Sequence, residues 1–103
     1  MTLKLEIETF RPHQSTSFKV DVGNGETIDL DLIEVKSLRI KDENRDPSVR
    51  QEPFRLTFRG GPPDAYIPQQ TCKLTHDVLG DLEIFMVPLG PDSDGMRYEA
   101  IFN

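Results

Sequence analysis

The groups in this 103-residue chain best suited to chemistry are two histidines, His13 and His76, and one cysteine, Cys72. His76 with Glu83, Glu99 and His13 has the donor types of a divalent metal site, since imidazole and carboxylate suit first-row metals. The spacing does not favour it: the histidines lie far apart in sequence and form neither an HxH nor an HxxxH pair. His76 instead precedes Asp77 at the end of a strand-like run, where a histidine commonly caps a turn. Cys72 and His76 would share one face of a strand, but four residues of strand rise separate them by about 13 Å. That exceeds hydrogen-bond reach, so they cannot act together as nucleophile and base. A small buried core cysteine is the better account of Cys72.

Two loops invite other readings. Pro91-Asp92-Ser93-Asp94-Gly95 resembles the start of a calcium loop, but the twelfth position from Asp92 is Asn103, where an EF-hand needs Glu, and both flanks read as strands. The acids are better placed to hydrogen-bond a turn in which Gly95 takes positive φ. Arg59-Gly60-Gly61-Pro62 looks faintly like a phosphate cradle, yet it lacks Lys-Ser/Thr and no helix follows, so it reads as a strand ending. GxSxG and HExxH are absent. No catalytic, cofactor-binding or metal-binding residues are therefore assigned, and the chain is read as a non-enzyme. Tyr66, in the loop DAYIP, carries a polar tip on an apolar body, and Tyr and Arg are enriched where proteins bind one another. Tyr66 and Arg59 are the candidate protein-interaction residues. The competing role for Tyr66 is packing over a barrel end.

The elements that must position these residues are strands. Leu3, Leu5 and Ile7 alternate with charged residues, as do Phe18, Val20 and Val22. Asn24-Gly25 follows, a strong hairpin signal because a type I′ turn needs positive φ at both central residues. Ile28, Leu30 and Leu32 continue the alternation, which slips by one residue at Leu32-Ile33 and predicts a β-bulge or a break. Residues 41–53 have no period and contain Pro47 and Pro53; they read as a mobile loop between two halves. Phe54, Leu56 and Phe58 then face one way, with Arg55, Thr57 and Arg59 opposite. Cys72, Leu74 and His76 share a face over residues 70–76. Leu82 to Val87 is nearly all apolar, as expected of a strand covered on both sides and ended by Pro88. Met96, Tyr98, Ala100 and Phe102 close the chain as the second arm of a hairpin. One helical turn fits either 9–15 or 63–67. About seven short strands with turn chemistry between them predict an all-β fold, a small antiparallel barrel or sandwich closed by a C-terminal hairpin.

Composition bounds the function. Residues 1–103 suffice for one domain with a single core. The net charge of −6 excludes partners that need clustered Lys and Arg, namely nucleic acid and anionic membrane surfaces. The acid is uneven: residues 1–34 balance to −4 and 76–103 to −5, while 39–59 balance to +2. A lone cysteine permits no intrachain disulfide, and no apolar leader or span is present, which predicts a cytoplasmic protein.

The stretches PFRLTFRGGP (53–62), KLTHDVLGDLEIFMVPLGP (73–91) with Gln70, and GMRYEAIFN (95–103) resemble a family of uncharacterised bacterial domains of about one hundred residues. Its members carry a PFxLxFRGP-like strand, an LxHxxLG…FLVP-like hairpin and a closing YEAxFN. The likeness is close in the second half and looser in the first, through LIEV. It departs at Cys72, where an aromatic is usual, and at the doubled Gly60-Gly61. Members accompany phage-tail or tail-collar-like adhesion proteins, so the resemblance implies an accessory or assembly role and transfers no catalytic residue. The expectation is a non-enzymatic interaction module with a protein partner, self-association being open and no cofactor required. The alternative is a small β-barrel binding a metal or small molecule around His76 and Glu83. Carbohydrate binding through Tyr66 is a third option.

Overall fold

The computed structural model describes residues 5–23, 25–38, 53–61, 67–93 and 95–102. It begins with a short helix, α1 (Ile7–Phe10), running into a 3-10 turn over Arg11–His13. Among the described residues six strands follow: β1 (Ser17–Gly23), β2 (Glu26–Ser37), β3 (Phe54–Gly60), β4 (Gln70–His76), β5 (Gly80–Asp92) and β6 (Gly95–Phe102). They form a closed barrel in the order β1-β2-β3-β6-β5-β4, with every neighbouring pair antiparallel. Of the two architectures open from sequence, the barrel is the one formed.

Alternation decides which residues go inside. Phe18 and Val20, Leu30 and Leu32, Phe54, Leu56 and Phe58, Cys72 and Leu74, Leu82, Ile84 and Met86, and Met96, Tyr98 and Ala100 all point inward and are buried. Aromatic contacts organise this core. Phe18 meets Phe58 edge-on at 5.4 Å, and Phe54 stacks on half-buried Phe102 at 4.5 Å. The slip at Leu32-Ile33 is a bulge, visible as a register shift on β3 between Leu32 and Glu34. The β1–β2 hairpin turns at Gly25, whose φ of 76° suits glycine; Asn24 lies outside the described residues.

Three expectations are corrected. The described part of the N-terminal alternation is not a strand: Ile7–Phe10 are helical, and with the 3-10 turn Arg11–His13 they supply the helical turn expected within 9–15. Ile7 and Phe10 fall one helical turn apart and both are buried against the barrel end. The strand carrying Leu82 to Val87 does not end at Pro88. β5 continues to Asp92 through a second bulge at Leu89, between Pro88 and Gly90. Proline is tolerated because β4 pairs no further than Met86, so from there β5 pairs only with β6. Nor is β5 covered on both faces. A single closed sheet buries only its inner side, and Phe85 and Leu89 stand in solvent.

Gly60 marks a close crossing and not an anion cradle. A Cβ there would overlap the carbonyl oxygen of Asp29 on β2. The 41–53 loop falls outside the described residues except for Pro53, whose carbonyl accepts the N–H of Leu38 at 2.9 Å. Among the described residues, no helix is long and apolar enough to cross a membrane.

Candidate functional site

The histidines do come together, but as structure. The rings of His13 and His76 meet at 4.8 Å, and His76 also packs on Phe18 at 4.4 Å. His76 Nδ1 accepts the backbone N–H groups of Val78 and Leu79, at 3.0 and 3.2 Å. Its proton therefore sits on Nε2, which donates to Thr16 Oγ1 at 3.0 Å, and that hydroxyl donates in turn to the His13 carbonyl. One imidazole thus ties the β4–β5 turn to the segment that caps the barrel. Glu83 and Glu99, the other members of the sequence-derived set, are not with it: they lie on the outer faces of β5 and β6, while His76 points inward. A metal at His76 would have to displace hydrogen bonds that already use both ring nitrogens.

Burial, with His13 beside it, holds the His76 pKa below the ordinary imidazole value, and Asp77 opposes this only in part. The sign follows from proton counting. In the unfolded chain the group binds a proton at a higher pH than in the native one. Its contribution is whole above roughly pH 6.5 and falls as the pH drops through the lowered native value. The melting temperature is expected to fall between pH 7.5 and pH 5.5, and to fall less in His76→Gln. Equal pH dependence in the two proteins would contradict this assignment.

Cys72 is 3% exposed, and burial pushes its thiol pKa up, so it is a core residue and not a nucleophile. The Pro91–Gly95 segment is the β5–β6 hairpin tip, with Asp92 opposite Gly95. Its carboxylate reaches the Arg59 guanidinium, 2.7 Å from the terminal nitrogen and 2.9 Å from Nε. Asp94 and Tyr66 lie outside the described residues.

Arg59, the other candidate interaction residue, belongs to a constellation that sequence spacing did not reveal. It stands directly opposite Arg97 across the β3–β6 ladder, and two rows on Thr57 stands opposite Glu99 on the same face. Asp92 lies between the like charges, 3.9 Å from Arg97 Nε, and offsets their repulsion. Arg55 pairs with Glu34 of β2 at 2.6 Å. All of these side chains but Asp92 line a groove of about 310 Å³ on the outer wall, together with the bulged residues Ile33 of β2 and Leu89 of β5. Two of the three register shifts in the described sheet thus flank one groove, the third lying between Asp21 and Gly23 on β1; bulges of this kind re-aim side chains. The Nε atoms of Arg55 and Arg97 are buried without a hydrogen-bond partner among the described residues.

Beside the groove the wall turns apolar. The β5–β6 register sets Val87 opposite Glu99; continued two residues, it brings Phe85 level with Ile101. Phe85 is 51% exposed, Ile101 52% and Leu89 43%. They are three of the five large apolar side chains exposed among the described residues, the others being Val22 and Val78. A second groove, of about 460 Å³, lies near the β1–β4 seam, where only Lys19–Thr75 and Val20–Leu74 pair. Its lining is mostly polar, with Lys19 and Lys73 among Asp21, Asp81 and Glu83.

No curated protein and no solved structure matches the chain. A family model does: the chain belongs to the family described as Domain of unknown function (DUF6916), which matches residues 5–102.

Proposed function

We propose that this member of the family is a cytoplasmic, non-enzymatic protein-interaction module that takes an accessory or assembly partner on the outer wall formed by β3, β6 and β5. One observation carries the reading. Over residues 84–89 β5 is apolar on both faces, yet the barrel covers one, leaving Phe85, Leu89 and neighbouring Ile101 in solvent. Apolar side chains gathered on one wall and bordered by charge mark an interaction surface. The border here contains Arg55, Arg59 and Arg97, and arginine beside aromatic anchors is the composition of binding hot spots. The wall is built on paired strands, so docking would not require ordering a loop. The protein-partner class implied by the resemblance, tail- or collar-like assemblies, fits such a module. The saturated imidazole of His76 disfavours the metal-binding alternative.

A photo-activated cross-linker placed at Ile101, and for comparison at Lys19 on β1 across the barrel, tests this in cells that make the protein. Adducts from Ile101 and none from Lys19 are expected. An Ile101 position that yields no more adduct than Lys19 would contradict the proposal.

A further inference from the structure

The pattern of charge on the wall specifies what can lie against it. Along β6 the outward residues are Arg97, Glu99 and Ile101, with Arg97 and Glu99 about 7 Å apart by strand rise. Arg59 extends the positive row across β3, and Glu34 on β2 extends the negative one. Neither Arg97 nor Glu99 is fully used among the described residues. Among the described residues Arg97 has only the 3.9 Å approach to Asp92, and no ion pair joins Glu99 to another of them. Any occupant should present an acid against Arg97 and, one outward position on, a base against Glu99. An antiparallel β6 strand from another molecule of the same sequence has this order, because a two-fold axis lying in the plane of the contact and perpendicular to the strand sets the two walls face to face with their rows reversed.

Net charge points the same way. The molecule carries −6, which opposes self-association at long range. On this wall, Arg55, Arg59 and Arg97 balance Glu34, Glu99 and Asp92, so two copies meeting here bring their least repulsive faces together. Gly95 adds room: it falls one outward position beyond Arg97 as Ile101 falls one beyond Glu99, so the two-fold places the Ile101 side chain of one copy over a residue that has none.

Resting on the reading of this wall as a docking surface, we propose that its occupant is a second copy of the chain, packed about a two-fold axis that sets Arg97 of each copy against Glu99 of the other. The contact is isologous, so each ion pair occurs twice. A single charge reversal therefore creates two repulsive contacts at once.

Sedimentation of the purified full chain at about 0.15 M salt tests this. The wild type is expected to associate reversibly to a dimer as concentration rises through the micromolar range. R97E and E99R should each weaken the dimer at least tenfold. Mixing them should restore it, because the carboxylate introduced by R97E in one copy then faces the guanidinium introduced by E99R in the other. The double variant R97E/E99R keeps the net charge and should dimerise like the wild type. A wild type that stays monomeric to millimolar concentration overturns the proposal whatever the variants do. So does unchanged dimerisation of both single variants, checked for folding by their melts, or failure of the mixture. Ile101 cross-links that join the chain only to a different protein would overturn the dimer while leaving the docking wall standing; no cross-links at all would remove both.

Discussion

A chain that stops at Arg97 is expected to show no cooperative unfolding transition. The residues lost include the buried Tyr98 and Ala100 and the stacked Phe102. Their loss strips most of the pairing between β6 and its two neighbours, from Phe54–Phe102 to Phe58–Tyr98 on one side and at Val87–Glu99 and Pro88–Tyr98 on the other. The Tyr98 hydroxyl also accepts the Ile67 N–H at 2.8 Å, so a buried donor is orphaned. Truncating one large buried aromatic costs about 3–5 kcal/mol, against a total stability of about 5–15 kcal/mol for a domain of ordinary size. Opening the barrel leaves β3 and β5 as edges prone to aggregation. Thermal denaturation followed by circular dichroism is the check. A sigmoidal transition near the wild-type temperature would contradict the account.

The second large effect is expected from Phe10→Ala. Phe10 has no exposed surface, and its ring lies 5.9 Å from Phe54 and 6.0 Å from Phe102. It is the plug at one end of the barrel, delivered by a helix of a single turn. Removing it should cost about 3–5 kcal/mol and lower the melting temperature by at least about 12 °C. Phe85→Ala removes an equal ring from the outer wall and should shift the isolated chain by only a few degrees. If the two substitutions cost the same, the assignment of inside and outside in this region is wrong.

The difference between those two phenylalanines also shows where sequence reading stops. Strand faces were legible because alternation has period two: Phe54, Leu56 and Phe58 could lie only together, and the break at Leu32-Ile33 announced its bulge. The turn role of His76 was legible from its place before Asp77, though not its bond to Thr16, sixty residues away. The N-terminal helix was legible only in part: a helical turn fits 9–15, but its start at Ile7 was not foreseen. Period two predicts a strand there, and the competing spacing of three residues between Ile7 and Phe10 is too short a pattern to decide against it. The second bulge lay hidden behind Pro88, which reads as a terminator unless the strand is known to have a free side. Most of the groove was out of reach for a different reason. The alternations that expose Arg55, Thr57 and Arg59, and those that expose Arg97 and Glu99, are plain in the chain. Their adjacency depends on β3 pairing with β6, and strand order is a non-local property that no local pattern encodes. Arg59 could therefore be named as a single candidate but not placed beside Arg97.

The apolar run 82–87 carries the functional consequence. From sequence it implies cover on two faces; the barrel provides one. Hydroxyl-radical footprinting measures the other directly. Side chains are oxidised in proportion to their exposure, once in dilute purified protein and once in the cells that make it. The account predicts that Phe85, Leu89 and Ile101 lose reactivity in the cell, while Val22 and Val78, exposed elsewhere on the barrel, do not. Equal reactivity of Phe85 and Ile101 in both settings would contradict it.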